Sequence, residues 1–528
     1  MSYSTSKWIS PGEKTNWVFS WGYVDNTPNI TLWESFSPYL RNARLDGASI
    51  IIRPWHSLFA PLTTGSYPKG IGSYLRTSAA NDVMIVRHNI SGTQKLNTIT
   101  AAGVVASITT GADIASDNRM SFTNVADTVY CLNGSDGLGL LSGTTYTVPS
   151  TWVSNFAPAF SVIFNGSQWA SGWSGNPNKV YKSIAGTYSS FSGAWSDTFT
   201  FEETITGLAA SNQALFYFTA NSVSVTGVGD ITDTAWVLTY TNRRLKVKEW
   251  AVNNASIVAA GNEIYYWTSS NTISKIATGS NINGFEVLDM GARKYKGIDT
   301  ILATLDVDQT ASFGYFLPDK NLIKWFVKTS GATFNDLCII YDIIKDAFLI
   351  DSFKFFYGGV FFKGFNYTIS MLEAKVYQDE FAQDDEDSAI PFEYWTKEFY
   401  ISEPTYKKIL WESRTLLDIN ELASCTQTIW IDGAQKDTKT VGLNNFISAT
   451  DGLWTSSIGE EAIGEEGGGD WIDNIQEIYI LRTKGSLNKK GRKFQLRFTN
   501  NSLAWKVRLK NISMRVEVLS ELTNNLTT

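Results

Sequence analysis

Along most of the chain, short apolar or aromatic runs alternate with polar residues, turn on Asn, Gly or Ser, and return as a second alternating run. The pattern appears as DVMIVRHNISGTQKLNTI from Asp82, DTVYCLNGSDGLGLL from Asp127, SQWASGWSGNPNKVYKS from Ser167 and NQALFYFTANSVSVTG from Asn212. It returns as NEIYYWTSSNTISKI from Asn262, KNLIKWFVKTSG from Lys320 and NYTISMLEAKVYQDE from Asn366. Period-2 alternation around turn residues predicts strands joined as hairpins. With Ile85, Tyr130, Trp169, Phe216, Tyr265, Ile323 and Ile369 as equivalent positions, the steps are 45, 39, 47, 49, 58 and 46 residues. That spacing suits one four-stranded blade per repeat. A lone blade leaves its faces bare, whereas a closed radial array buries them and protects the strand edges. The sequence therefore predicts an all-β chain with a β-propeller of six or seven blades over residues 42–402. A β-solenoid or stacked sandwiches are the rival architectures.

After Ser402 the alternating runs lengthen: PTYKKILWESRTLLDI, CTQTIWIDGAQKD, IQEIYILRT, KFQLRFTN and WKVRLKNISMRVEV. They predict an antiparallel β-sandwich platform over 403–528, with one buried face per sheet. The N-terminal segment 1–41 contains strand-like NWVFSWGYVDN, expected to pack on that platform. Within the platform, 457–471 reads SIGEEAIGEEGGGDW. Its Gly content predicts a mobile loop or hairpin tip, because glycine is entropically costly to order.

Charge changes the picture at the C-terminal end. The chain carries 44 Lys/Arg and 51 Asp/Glu, a net charge of −7, but Leu481–Val516 holds eleven Lys/Arg and no acid. The remainder then has 33 basic and 51 acidic residues, a balance of −18. In the last strands, basic residues alternate with apolar ones. Lys506, Arg508, Lys510 and Arg515 are thus candidates for a contact with an acidic neighbour, a second subunit or an adaptor.

Candidate chemistry is sparse. His56 and His88 are the two histidines, and Cys131, Cys338 and Cys425 are far apart. No Cys/His spacing suits a zinc site, and neither a phosphate-binding Gly loop nor a G-x-S-x-G elbow occurs. Both histidines read as structural. The acidic run Asp379, Glu380, Asp384, Asp385, Glu386 and Asp387 reads as a solvated link, since a glycosidase needs carboxylates facing each other from different strands. Trp169 and Trp173, at blade spacing, read as core rather than as a stacking platform. No catalytic, cofactor or metal residues are assigned. The N-terminus lacks the apolar core of a secretory signal, and no run of about 18 apolar residues predicts a membrane helix.

Three stretches resemble the propeller-bearing tail proteins of short-tailed phages, the tail-hub, tail-nozzle and packaged-DNA-stabilisation proteins. They are SPYLRNARLDGASIIIRPWHSL (37–58), with an Asn/Arg strand followed by Arg-Pro; the Asp336–Tyr377 stretch, where Tyr341-Asp342 precedes Phe348; and KFQLRFTNNSLAWKVRLKNISMRVEV near the C-terminus. Trp55 stands where the family usually has Gly. The resemblance implies a non-enzymatic virion component, assembled in the host cytoplasm. It would form a ring, often a hexamer, beneath a portal or adaptor and among other tail proteins, with genomic double-stranded DNA passing through the lumen during ejection. An acidic wall suits such a conduit, because a basic one would hold phosphates through counterion release. The alternatives left open by the residues are a propeller glycoside hydrolase and a carbohydrate- or receptor-binding tail protein.

Overall fold

A computed structural model describes residues 14–18, 39–442 and 476–518, apart from gaps that include 149–155, 192–197, 291–297, 383–389, 399–406, 483–488 and 501–506. The chain divides into two compact units. One comprises His56–Asp346 and Ser352–Phe381; the other comprises Met1–Trp55, Ala347–Asp351 and Ala382–Thr528.

The first unit is a seven-bladed β-propeller. The innermost strands are Ser66–Tyr74, Ser121–Val125, Phe160–Phe164, Ile205–Ala210, Ile257–Ala260, Phe313–Leu317 and Phe356–Phe362, each the terminal strand of a different sheet. Each packs against the next, and the seventh against the first, so the ring closes. This closure excludes a solenoid. The seven equivalent positions from Ile85 to Ile369 all fall on second strands, from Val83–Ile90 in blade 1 to Phe365–Ser370 in blade 7, and all are buried. Blade 7 takes its outermost strand, Trp55–Pro61, from the N-terminal side of the ring, next to Lys375–Ala382.

The core lies between neighbouring blades. Trp169, Val180 and Phe199 of blade 3 pack with Leu208, Leu215 and Tyr217 of blade 4, and Phe216 and Phe218 of blade 4 pack with Ile264 and Tyr266 of blade 5. Burying each such side chain contributes roughly 1.5–3 kcal/mol. The largest ones also satisfy their polar atoms: the Trp169 and Trp325 indoles donate to the Phe164 and Ser256 carbonyls, both at 3.1 Å. Hairpin turns have the required chirality. At Asn165-Gly166 both residues have positive φ (48° and 71°), as in a type I′ turn, which only Gly and Asn adopt readily.

The second unit contains two sheets. In one, Ala43–Asp46, Ser49–Ile52, Val507–Val518, Lys408–Ile419 and Gln476–Arg482 lie in that order, and Lys14–Val18 pairs antiparallel with Val507–Val518. In the other, Tyr39–Arg41, Phe392–Trp395, Phe494–Asn500, Ser424–Ile431 and Ala434–Gly442 are consecutive neighbours. The buried faces hold Leu410, Leu509 and Ile512 from the first sheet and Ile429, Ile431, Leu496 and Phe498 from the second. Across them the buried Gln427 amide donates to the Thr415 hydroxyl at 3.2 Å. Ser424–Ile431 alternates strictly between partial and full burial, as the period-2 pattern requires.

The last strand explains an irregularity in its own sequence. Apolar positions shift from odd (Val507, Leu509) to even (Ile512, Met514, Val516). Against Lys408–Ile419 the register shifts there, so that Leu417 faces Leu509 and Leu416 faces Asn511. Lys510 is the extra residue of a β-bulge, which lets Leu509 and Ile512 share the buried face. The loop 457–471 lies outside the described residues.

Candidate functional site

Among the described residues, the densest assembly of titratable side chains is centred on a buried carboxylate in the propeller. Asp379, on the third strand of blade 7, lies 2.7 Å from the Lys324 ammonium of blade 6 and 2.7 Å from His56 Nε2 of the closing strand. The Tyr315 hydroxyl donates to the same carboxylate. Lys324 also pairs with Glu380 at 2.7 Å, and Lys320 approaches Glu380 at 3.4 Å. The side chains of Asp379, Glu380, Lys324 and His56 are at most 3% exposed. Burial pushes the Asp379 carboxyl up, but Lys324 and then His56 outweigh it and hold it well below the usual carboxylate range. Burial, with Asp379 beside it, pushes the Tyr315 phenol well up.

This placement corrects the solvated-link reading of the acidic run for two of its members. Asp379 and Glu380 belong to a blade strand and are buried because the Lys324 ammonium of a neighbouring blade meets both and the His56 imidazole of the closing strand meets Asp379. Asp384, Asp385, Glu386 and Asp387 lie outside the described residues. The network has no surface from which Asp379 and Glu380 could reach a glycan, so these carboxylates are not a glycosidase pair. It joins the strand that closes the ring to blades 6 and 7.

His88 is buried on the second strand of blade 1, and desolvation lowers its pKa. Cys131, Cys338 and Cys425 are free and buried, and burial pushes the Cys131 and Cys425 thiols up, the opposite of what a nucleophile needs. Among the described residues no group of three or more His, Cys, Asp or Glu could hold a metal ion. Trp169 is core; Trp173 packs edge-on against Phe156.

The proposed interface residues lie at the sheet of the second unit. Lys506 falls outside the described residues. On Val507–Val518, Arg508 stands opposite Asp418 and Arg515 opposite Glu412, while Lys510 occupies the bulge. Cross-strand positions of opposite charge favour pairing by about 0.2–1 kcal/mol. Part of the basic stretch therefore has acidic register partners within the chain itself.

Sequence reasoning did not anticipate the polar knot in the same unit. Asn42, in the left-handed region at φ 53°, accepts from the Arg53 backbone amide at 3.0 Å and from its Nε at 3.4 Å, and donates to the Pro391 carbonyl at 2.6 Å. Arg44 grips Asp351 with two parallel hydrogen bonds of 3.0 and 2.6 Å, both side chains nearly or wholly buried. The Asn/Arg strand and the Arg-Pro of 37–58 thus have a structural purpose. In the propeller, Tyr341 donates to Asp346 at 2.7 Å and Asp342 accepts from the Lys345 amide at 3.0 Å, shaping the turn before Phe348.

No protein-family model matches the chain, and comparison with curated proteins gives no match. Among solved structures, the chain is similar to BamB from Moraxella catarrhalis (10% identity, 63% of this chain and 98% of that one, TM-score 0.38). It is also similar to YCF48 from Cyanidioschyzon merolae (10% identity, 62% and 98%, TM-score 0.39) and to YCF48 bound to D1 peptide (12% identity, 62% and 99%, TM-score 0.40). Likeness at this level carries no functional argument.

Proposed function

We propose that the chain is a structural subunit of a short-tailed phage tail, a hub or nozzle component beneath the portal or its adaptor. Copies of it, six by the family resemblance, would form a ring around the channel through which genomic double-stranded DNA leaves. The observation that carries this reading is where the resembling stretches lie. Tyr39–Arg41 pairs with Phe392–Trp395 and, through Arg41 and Ile350, with the strand that follows Tyr341-Asp342. Phe392–Trp395 pairs with Phe494–Asn500, and Ser49–Ile52 pairs with Val507–Val518. Three stretches far apart in sequence are therefore joined by strand pairings, and the first two also by the buried Arg44–Asp351 pair, which supports treating them as a single inherited feature.

The charge balance agrees with a conduit. An acidic body repels a polyanion and lets it slide, while ring closure needs compensating contacts between unlike faces. Arg508 and Arg515 would contribute to such a contact beyond their register partners. Light scattering of the full chain, alone and co-expressed with a portal protein, tests the reading. We expect a closed ring, or a monomer recruited to the portal ring. A monomer that neither self-assembles nor binds a portal at low or raised salt sinks the proposal. Reversing both charges (Arg508→Glu with Arg515→Glu) should weaken assembly most at low salt.

A further inference from the structure

The propeller's axial cavity contains a cation, Arg119, that no carboxylate among the described residues neutralises. The cavity measures about 450 Å³ and is bounded by inner strands of the blades, with Arg119, Thr206, Asn254, Ile257, Thr310 and Phe313 in its wall. This is the size of a small-molecule site. Thr310 is exposed, so the space is in contact with solvent.

Arg119 precedes the inner strand of blade 2, where the Met120 amide donates to the Lys69 carbonyl at 2.9 Å. Its guanidinium carbon sits 4.8 Å from the Tyr357 ring centre and 5.2 Å from that of Phe313. Its hydrogen bond to the Ser312 carbonyl is long, 3.5 Å. Among the described residues it meets no carboxylate. The nearby acids are engaged elsewhere: Asp117 with Lys69 at 3.4 Å, Arg87 at 3.7 Å and the Asn89 amide at 2.9 Å, and Asp136 with the Ser116 amide at 2.9 Å and Asn133 at 2.6 Å. Desolvation lowers the Arg119 pKa, but a guanidinium stays charged in proteins. Held between two rings, it keeps donor edges free for a planar, bidentate anion.

Three inner strands depart from regular pairing near this place. Register shifts fall between Pro68 and Gly70, Ile205 and Gly207, and Phe356 and Gly358, making Lys69, Thr206 and Tyr357 the extra residues. Such bulges re-aim side chains, often beside binding sites. Lys69 and Tyr357 flank Arg119, with the Lys69 ammonium 5.8 Å from the Tyr357 ring centre. Thr206 contributes to the cavity wall, its hydroxyl oxygen buried behind that wall. The rest of the wall includes Ile71, Phe122, Phe160 and Ile257, which suit an apolar body.

We propose that this cavity binds a carboxylate attached to a compact apolar or aromatic body, with Arg119 receiving the carboxylate. A free organic acid and the C-terminus of a polypeptide share this chemistry. The site lies wholly in the propeller and does not depend on ring assembly.

Calorimetry on the full chain tests it with N-acetylphenylalanine for a free acid and Ala-Ala-Phe for a chain end, each against its C-terminal amide. We expect at least one acid to bind with a Kd of about 1 mM or tighter, and its amide at least about 10-fold more weakly. Preference for N-acetylphenylalanine points to a small acid, and preference for Ala-Ala-Phe to a chain terminus. Arg119→Gln should erase the difference between acid and amide, and Arg119→Lys should retain part of it. The proposal fails if neither acid saturates the wild-type protein, if acid and amide bind equally, or if a folded Arg119→Gln protein binds the acid as wild type does.

Discussion

Two charged sites within one propeller are built on opposite terms. Around Asp379 the fold supplies the partners itself: the Lys324 ammonium and the His56 imidazole contact one carboxylate, Tyr315 donates to it, and Lys320 stands at the neighbouring Glu380. Around Arg119 it supplies aromatic faces and one long contact to a carbonyl, and spends the local acids on other partners. The Asp379–Lys324 centre of the first site is closed to solvent, whereas the second lines a cavity that reaches it. Charge that holds a ring together is saturated by the chain; charge left unsaturated beside a cavity is available to something else.

Removing one partner from the closed site should have the largest effect. Asp379→Asn leaves the Lys324 ammonium buried with half its counter-charge, and breaking a buried pair typically costs about 3–5 kcal/mol. Urea denaturation of variant and wild type measures this. The pH dependence adds a signature. The Asp379 carboxyl lies well below its unfolded value, so its contribution is present above the unfolded pKa of about 3.9 and is lost as pH falls through the lower folded value. In Asp379→Asn that part of the acid-side loss should vanish. An equal loss of stability in wild type and variant over the same acid range would remove Asp379 from the account.

A smaller effect is expected at the polar knot of the second unit. Arg44→Lys keeps the charge beside Asp351 but cannot reproduce the two parallel hydrogen bonds. Loss of one charge-assisted bond should cost about 1.5–3 kcal/mol. Thermal melts should show Arg44→Lys less stable than wild type and more stable than Arg44→Met, which strands Asp351. If Arg44→Lys melts like wild type, fork geometry is not what matters there.

The ring was legible because its repeat is physical. Each blade must put a fully buried strand second, and the seven positions from Ile85 to Ile369 mark those strands. The Lys510 bulge, too, was visible as a change of parity. The closed charge network was hidden for two reasons. Asp379 and Glu380 begin an acidic run that resembles a surface link, and their partners come from positions 320, 324 and 56, brought near only when the ring closes. Trp55–Pro61 belongs to blade 7 although it precedes blade 1 in the chain, so no local reading assigns it there. Arg119 was overlooked because its rings, Phe313 and Tyr357, come from blades 6 and 7, and because single-residue bulges interrupt alternation without a sequence mark.

The smallest expected effect separates stacking from vacancy of charge. Arg497 is also held between two rings, its guanidinium carbon 3.6 Å from the centres of both Trp395 and Trp430. Unlike Arg119, it has a polar partner close by, its Nε donating to Gln495 at 2.9 Å, and Glu393 and Glu398 lie near enough to raise its pKa against the lowering by burial. Stacking at a partly exposed arginine contributes about 0.5–1 kcal/mol. Arg497→Gln should therefore lower stability by about that amount and leave binding of N-acetylphenylalanine or Ala-Ala-Phe unchanged. Arg119→Gln should do the reverse, altering carboxylate binding with little loss of stability, since relieving an uncompensated buried cation offsets the lost ring contacts. If both variants lose stability alike and neither affects the carboxylate, two rings around an arginine are simply packing, and the cavity has no claim on the charge beside it.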